Sequence, residues 1–230
     1  MTNLFNGFKP ETLKFFADLS KNNEKVWFDE HREDYDEFVM LPTRNFIVEM
    51  GNKLSAIVPL IVADPKVNRS IFRINRDVRF SNDKRPYKTH LGIWFWEGND
   101  SRMDNPGFYF HIEPGNCIIA AGMHCFSKPV MNKFREMVVH PKMGPRLPEA
   151  VEKVSKSGQF EIGEKTLKKT PRGFDSKHPN AEYLLYTGFN AFWEGPVPEE
   201  VFSADIIDYC MKRFQDMLPI HQWLVEMKNY

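Results

Sequence analysis

Residues 107–125 read GFYFHIEPGNCIIAAGMHC. A strand-like run reaches Glu113, Pro114–Gly115 breaks it, and a second apolar run follows. In a strand, successive side chains point to opposite faces, and a two-residue turn of this kind joins antiparallel neighbours. A chain with this hairpin must build an antiparallel sheet and cover its apolar face.

The flanking segments supply the cover. Pro10 suits a first helical turn, and Leu13, Phe16 and Ala17 follow at helical spacing. Asn22–Asn23 breaks that pattern, and a second helix is expected from about Glu24 with Trp27, Phe28, Tyr35 and Phe38 as its apolar members. Pro42 opens a third, through Phe46, Ile47, Met50, Leu54 and Ile57, and Pro59 ends it. KTHLGIWFW alternates, with Thr89, Leu91, Ile93 and Phe95 on one face. SIFRINRDVRF is expected as a strand over 71–80, with a helical reading of Ile71, Ile74 and Val78 as the alternative. Helices return after Ser127, after Pro148 as far as Gly158, from about Pro179, and after Ser203, the last interrupted or kinked at Pro219. GFNAFWEG reads as a late strand. The expected fold class is α+β: a mostly antiparallel sheet covered by helices, with helical segments at both ends, in one domain over 1–230.

Composition excludes several classes. Net charge is zero, with 31 bases and 31 acids, where a dedicated nucleic-acid binder carries a basic excess. Three cysteines, Cys117, Cys125 and Cys210, form no CxxC pair and are expected reduced and buried. MTNLFNGFKPE lacks a basic stretch before an apolar run, so no signal peptide is expected, and no apolar run is long enough to span a membrane. A cytoplasmic location is the expectation.

Against this neutral background the bases cluster. Lys66 to Lys88 holds eight bases and only two acids, Asp77 and Asp83. The segment from Glu24 to Glu37 carries seven acids against Lys25 and Arg32, so mutual neutralisation is the plain structural explanation. On a regular strand Arg73, Asn75, Asp77 and Arg79 share one face, and Arg76 lies on the other between Ile74 and Val78. A guanidinium there needs a partner, from the protein or from a ligand. In SNDKRPYK, Ser81 and Asp83 can fold a turn on their own backbone, while Lys84 and Lys88 can flank an anion. The loop is no Walker motif, because no glycine run precedes Lys84.

FRINRDVRFSNDKRPYKTHLG closely resembles the core motif of the DUF2461 family, uncharacterised proteins of bacteria and fungi. GFKPETLKFFADLSKNNEKVWFDEHREDY is similar to its N-terminal helices, including Asn22–Asn23 and Trp27–Phe28. GFYFHIEPGNCIIAAGMH resembles its central hairpin. LKKTPRGFDSKHPNAEYL resembles its downstream motif, covering Arg172, Gly173, Phe174, His178 and Pro179. Ala120–Ala121 depart from a glycine-rich pattern. The resemblance spans nearly the whole chain and implies no established activity.

The candidate ligand-binding residues are therefore Arg76, Asp77, Arg79, Asp83, Lys84, Tyr87, Lys88, Arg172 and His178. The four bases of the first segment would hold an anion, Asp77 or Asp83 would orient them or act as acid or base, and Tyr87 and His178 would donate hydrogen bonds. Arg172 and His178 belong to a second basic stretch, Lys165 to His178, that can serve the same anion or be an ordinary solvated loop. If Glu113 pairs with Asn116, then Tyr109, His111, Glu113, Gly122 and His124 share a face. His111 and Glu113, with His90 from the next strand, have ligand chemistry, but spacing alone does not select them and no metal is assigned. His124 is too far along to join them. Trp94, Trp96, Tyr109 and Trp193 are expected in the core, with base stacking as the alternative. An enzyme or ligand-binding domain for a small anionic molecule, phosphorylated compounds among the candidates, is the expected function. A nucleic-acid or protein interaction module and a purely structural Arg/Asp network are the alternatives. No cofactor, catalytic residue or oligomeric state is assigned.

Overall fold

A computed structural model describes residues 5–230; the opening MTNL, part of the N-terminal reading above, lies outside them. The helices are α1 (Pro10–Lys21), α2 (Lys25–Glu30), α3 (Arg32–Asp34), α4 (Leu41–Ser55), α5 (Lys128–Val138), α6 (Arg146–Ser155) and α7 (Ile206–Asn229). The strands are β1 (Ile61–Val62), β2 (Leu91–Glu97), β3 (Gly107–Glu113), β4 (Asn116–Met123), β5 (Glu161–Ile162) and β6 (Phe189–Gly195). They form one antiparallel sheet in the order β1-β2-β3-β4-β6-β5, an α+β fold. Pro114–Gly115 is the two-residue turn of the β3–β4 hairpin, with Gly115 at φ +85°, a left-handed conformation that glycine adopts without strain. The strands β1 and β5, two residues each, are absent from the sequence reading because so short a run has no period.

The chain divides into two compact units. One comprises the chain up to Phe95 with Tyr109–Ile119 and Glu194–Lys212; the other comprises Trp96–Phe108, Ala120–Trp193 and Arg213–Tyr230. In the first, α1 opens with Pro10 and Glu11 and closes with Lys21, matching the helix dipole, and buries Thr12, Phe15, Phe16 and Leu19 as one stripe. Between α3 and α4 the helix widens into a π-turn, Tyr35–Met40. Thr12 and Thr43 hydroxyls donate to the Phe38 and Val39 carbonyls there, each at 2.6 Å, satisfying acceptors that the wider turn disturbs. Phe46 of α4 packs on Phe110 at 4.9 Å and Phe95 at 6.4 Å, and Phe8 stacks on Phe110 at 5.9 Å. Each fully buried phenylalanine contributes roughly 2 kcal/mol, so this cluster anchors helices to sheet. β2 is buried at six successive positions, Leu91 to Trp96, so its alternation marks two covered faces instead of one.

In the second unit Phe134 of α5 packs against Phe126, Phe189 and Trp223. The Asn180 amide, buried, donates to the Val138 and Gly144 carbonyls at 3.0 and 2.8 Å, and Trp223 donates to the Met143 carbonyl at 3.0 Å. His221 is buried, stacked on Phe108 at 4.4 Å and 2.9 Å from Glu97. Three expectations shift. α7 runs through Pro219 without a break. It starts at Ile206, and Ser203 folds a turn ahead of it by accepting from the Asp205 N–H at 3.2 Å. Cys117 and Cys210 are buried, but Cys125 is exposed, because β4 ends at Met123 and the chain turns outward.

Candidate functional site

The expected strand over 71–80 is not formed. Ile71 bridges Ile93 and Asn75 bridges Tyr87, with Arg76 N–H donating to the Pro86 carbonyl and Lys88 N–H to the Ile74 carbonyl, both at 2.8 Å. Between these rungs residues 77–85 fold as a loop on their own polar side chains. Arg79 N–H donates to Asp77 at 3.3 Å, Asp83 N–H to Ser81 at 3.2 Å, and Arg85 N–H to Asp83 at 3.1 Å. Such local bonds compete with a strand ladder, and here they win. Phe80, expected on the apolar face, is 94% exposed at the loop tip.

The loop also neutralises itself. Arg79 forks onto Asp77 with contacts of 2.9 and 2.7 Å, and Arg85 onto Asp83 with its shortest contact at 2.7 Å. Arg76 reaches Asp83 at 2.7 Å and the Arg85 carbonyl at 3.1 Å, so the guanidinium that needed a partner finds it across the loop. The Arg79 hydrogen bonds hold Asp77 down to about 2, and those from Arg85 hold Asp83 further below the carboxylate range. Among the described residues, Arg76, Arg79 and Arg85 take their ion pairs from Asp83 and Asp77 of the loop, while Lys25 and Arg32 of the acidic segment pair with its own Asp29 and Asp36. Lys84 donates to the Val78 carbonyl at 3.0 Å, and the Lys88 ammonium lies over the Phe72 ring at 5.4 Å. Tyr87 is an anchor: its ring is buried against Phe28 at 4.4 Å, and its backbone N–H and C=O both pair with the buried Asn23 amide at 3.0 Å.

Arg172 and His178 belong to the second unit. Arg172 is exposed, and His178 Nδ1 accepts from the Asn180 N–H at 3.1 Å. Lys165 pairs with Glu182 at 2.8 Å.

The first unit also assembles a group that spacing alone did not select. β3 puts Tyr109, His111 and Glu113 on one face, and His90, just before β2, stacks on His111 with ring centroids 4.3 Å apart. The ligand atoms of His90, His111 and Glu113 lie within 4.8 Å of one another. Burial pushes both imidazoles down to about 4 and the Tyr109 phenol up to about 12. Tyr109 Oη is 3.0 Å from His111 Nδ1. His111 Nε2 is 3.7 Å from Glu113 Oε1, too far for a hydrogen bond, and is buried without a hydrogen-bond partner among the described residues. The Asn116 amide spans Glu194 at 2.8 Å and Glu113 at 3.4 Å. Gly92 makes room for Tyr109: a Cβ there would stand 2.9 Å from Tyr109 Oη and 3.3 Å from Phe72.

A family model described as "Conserved hypothetical protein (DUF2461)" matches residues 11–223. The chain belongs to the DUF2461 family. That span takes in both basic segments and the histidine face, and the description names no activity. No curated protein matches the chain. Among the described residues of this DUF2461 protein, no helix is long and apolar enough to cross a membrane.

Proposed function

We propose that this DUF2461 protein binds a small anionic molecule, with phosphorylated compounds as the leading class, through the basic loop of residues 73–88, as an enzyme or a ligand-binding domain. One observation carries this reading: six bases in the loop meet two aspartates, so the internal pairs leave a net positive surface on a folded scaffold. A folded array of cations binds phosphate or carboxylate with little ordering cost. The segment Lys165–His178 stands as a second anion-binding stretch of the same chain, with Arg172 and His178 as its candidate contacts.

A second reading, a purely structural Arg/Asp network, is favoured by the forked pairs on Asp77 and Asp83. The two separate in a thermal-shift series with inorganic phosphate, nucleotides, small carboxylates and a short oligonucleotide at two salt concentrations. A ligand at a hundred times its Kd adds about 2.7 kcal/mol, worth roughly 5–10 °C for a chain of this size. The anion reading expects a shift confined to one small-molecule class and lost in Lys84→Ala. A shift with the oligonucleotide alone, abolished by salt, makes the loop a nucleic-acid patch. No shift with any of them leaves the structural network.

A further inference from the structure

We propose that His90, His111 and Glu113 bind a divalent first-row transition-metal ion, with zinc as the reference case. This site does not depend on the anion reading.

The pattern of a sheet builds it. Residues two apart on β3 share a face, so His111 and Glu113 stand side by side, and the β2–β3 pairing brings in His90. Two imidazoles and one carboxylate suit zinc, manganese, iron or cobalt, and three protein ligands leave positions open for water or another ligand.

The orphaned atom points to the ion. His111 is 7% exposed, and its Nε2 is buried without a hydrogen bond among the described residues. Buried polar atoms are nearly always satisfied, so an orphan beside a carboxylate calls for a missing partner. The other ring nitrogen faces the Tyr109 hydroxyl at 3.0 Å. With Nδ1–H donating to that oxygen, the lone pair sits on Nε2, toward Glu113. A metal-bound histidine takes this arrangement: the far N–H is held by an outer partner, which fixes the tautomer and the ring plane. Glu113 is steadied by Asn116, which also holds Glu194. Tyr109 and Asn116 are thus positioning residues. The neighbouring charges are mixed: Glu194 favours a cation and Lys88 opposes one.

The geometry needs a small adjustment. Zinc–nitrogen bonds of about 2.1 Å put tetrahedral ligand atoms roughly 3.4 Å apart. The present atoms lie within 4.8 Å, with His111 Nε2 and Glu113 Oε1 at 3.7 Å. His90 is half-buried and the Glu113 side chain is 34% exposed, so both can swing inward by side-chain rotation while His111 stays fixed.

The test is calorimetric titration of the full chain with zinc chloride at neutral pH, with cobalt(II) absorption as a second readout of ligand geometry. One ion per chain is expected. Glu113→Gln, a substitution at a part-exposed side chain that should leave folding intact, should weaken binding about 100-fold, and Tyr109→Phe about 10-fold. His178→Ala, outside the cluster, should leave it unchanged. No binding at micromolar zinc by folded protein would overturn the proposal. So would binding that Glu113→Gln and His111→Gln leave intact, or that His178→Ala abolishes.

Discussion

The basic loop of residues 73–88 and the histidine face of β3 lie in one unit and divide its polar chemistry in opposite ways. The loop is largely exposed, and Arg76, Arg79 and Arg85 pair with its own aspartates. The face is largely buried, and among the described residues the His111 Nε2 has no hydrogen-bond partner. Charge is concentrated in the loop, yet of these two groups the weakly charged one holds the unmet bond. Exposed ion pairs lie in a solvent that screens them, whereas a buried orphan has no such relief. Crowding of charge and chemical vacancy are therefore different signals.

The largest break should come where the loop is tied to the core. Asn23→Ala leaves the Tyr87 N–H and C=O without their partner. A loss of about 3 kcal/mol is expected by denaturant titration, since each orphaned buried group costs about 1–3 kcal/mol. A loss near zero would mean that Tyr87 is held by ring packing alone. Gly92→Ala should cost about 1 kcal/mol by crowding Tyr109, and the same variant should weaken zinc binding because the His111 tautomer loses its holder. Unchanged zinc affinity would detach Tyr109 from the site.

How much of this was legible before the structure depends on range. The β3–β4 hairpin shows in the alternation and in Pro114–Gly115, and the stripe of α4 shows in its three-and-four spacing, because each signal lies within a few residues. The turn-forming roles of Ser81 and Asp83 were legible for the same reason. On α1 the expected stripe of Leu13, Phe16 and Ala17 is displaced: Thr12, Phe15, Phe16 and Leu19 are buried, and Leu13 and Ala17 are only half-buried. The alternation over 71–80 predicts a strand that does not form, because Phe80 completes the alternation but has no core to face. Arg76 showed its need for a partner but not that Asp83 would meet it. Tyr109, His111 and Glu113 could be placed on one face from the period of two, whereas the stacking of His90 on His111 depends on strand pairing across 21 positions of sequence.

Two smaller effects sharpen the comparison. Asp77 and Asp83 have folded pKa values depressed below the usual value of about 3.9. Their contribution is present above that value and is lost as pH falls through the folded values, near 2 for Asp77. Amide exchange, corrected for its intrinsic pH dependence, should show residues 77–85 losing protection between about pH 4 and pH 2. Asp83→Asn should give the same local opening at neutral pH. Equal protection at both pH values would show that backbone bonds alone hold the loop. Lys84→Ala should leave the melting temperature in buffer unchanged while removing any phosphate-induced shift. A fall in that temperature would instead make the Lys84 bond to the Val78 carbonyl structural.

The most direct test of the contrast is nitrogen NMR of the histidine rings, with and without one equivalent of zinc. His111 should appear as the Nδ1–H tautomer with an unprotonated Nε2 that stays neutral down to about pH 5, and zinc should shift the His90 and His111 resonances together. A protonated Nε2 on His111 that zinc leaves untouched would contradict the account.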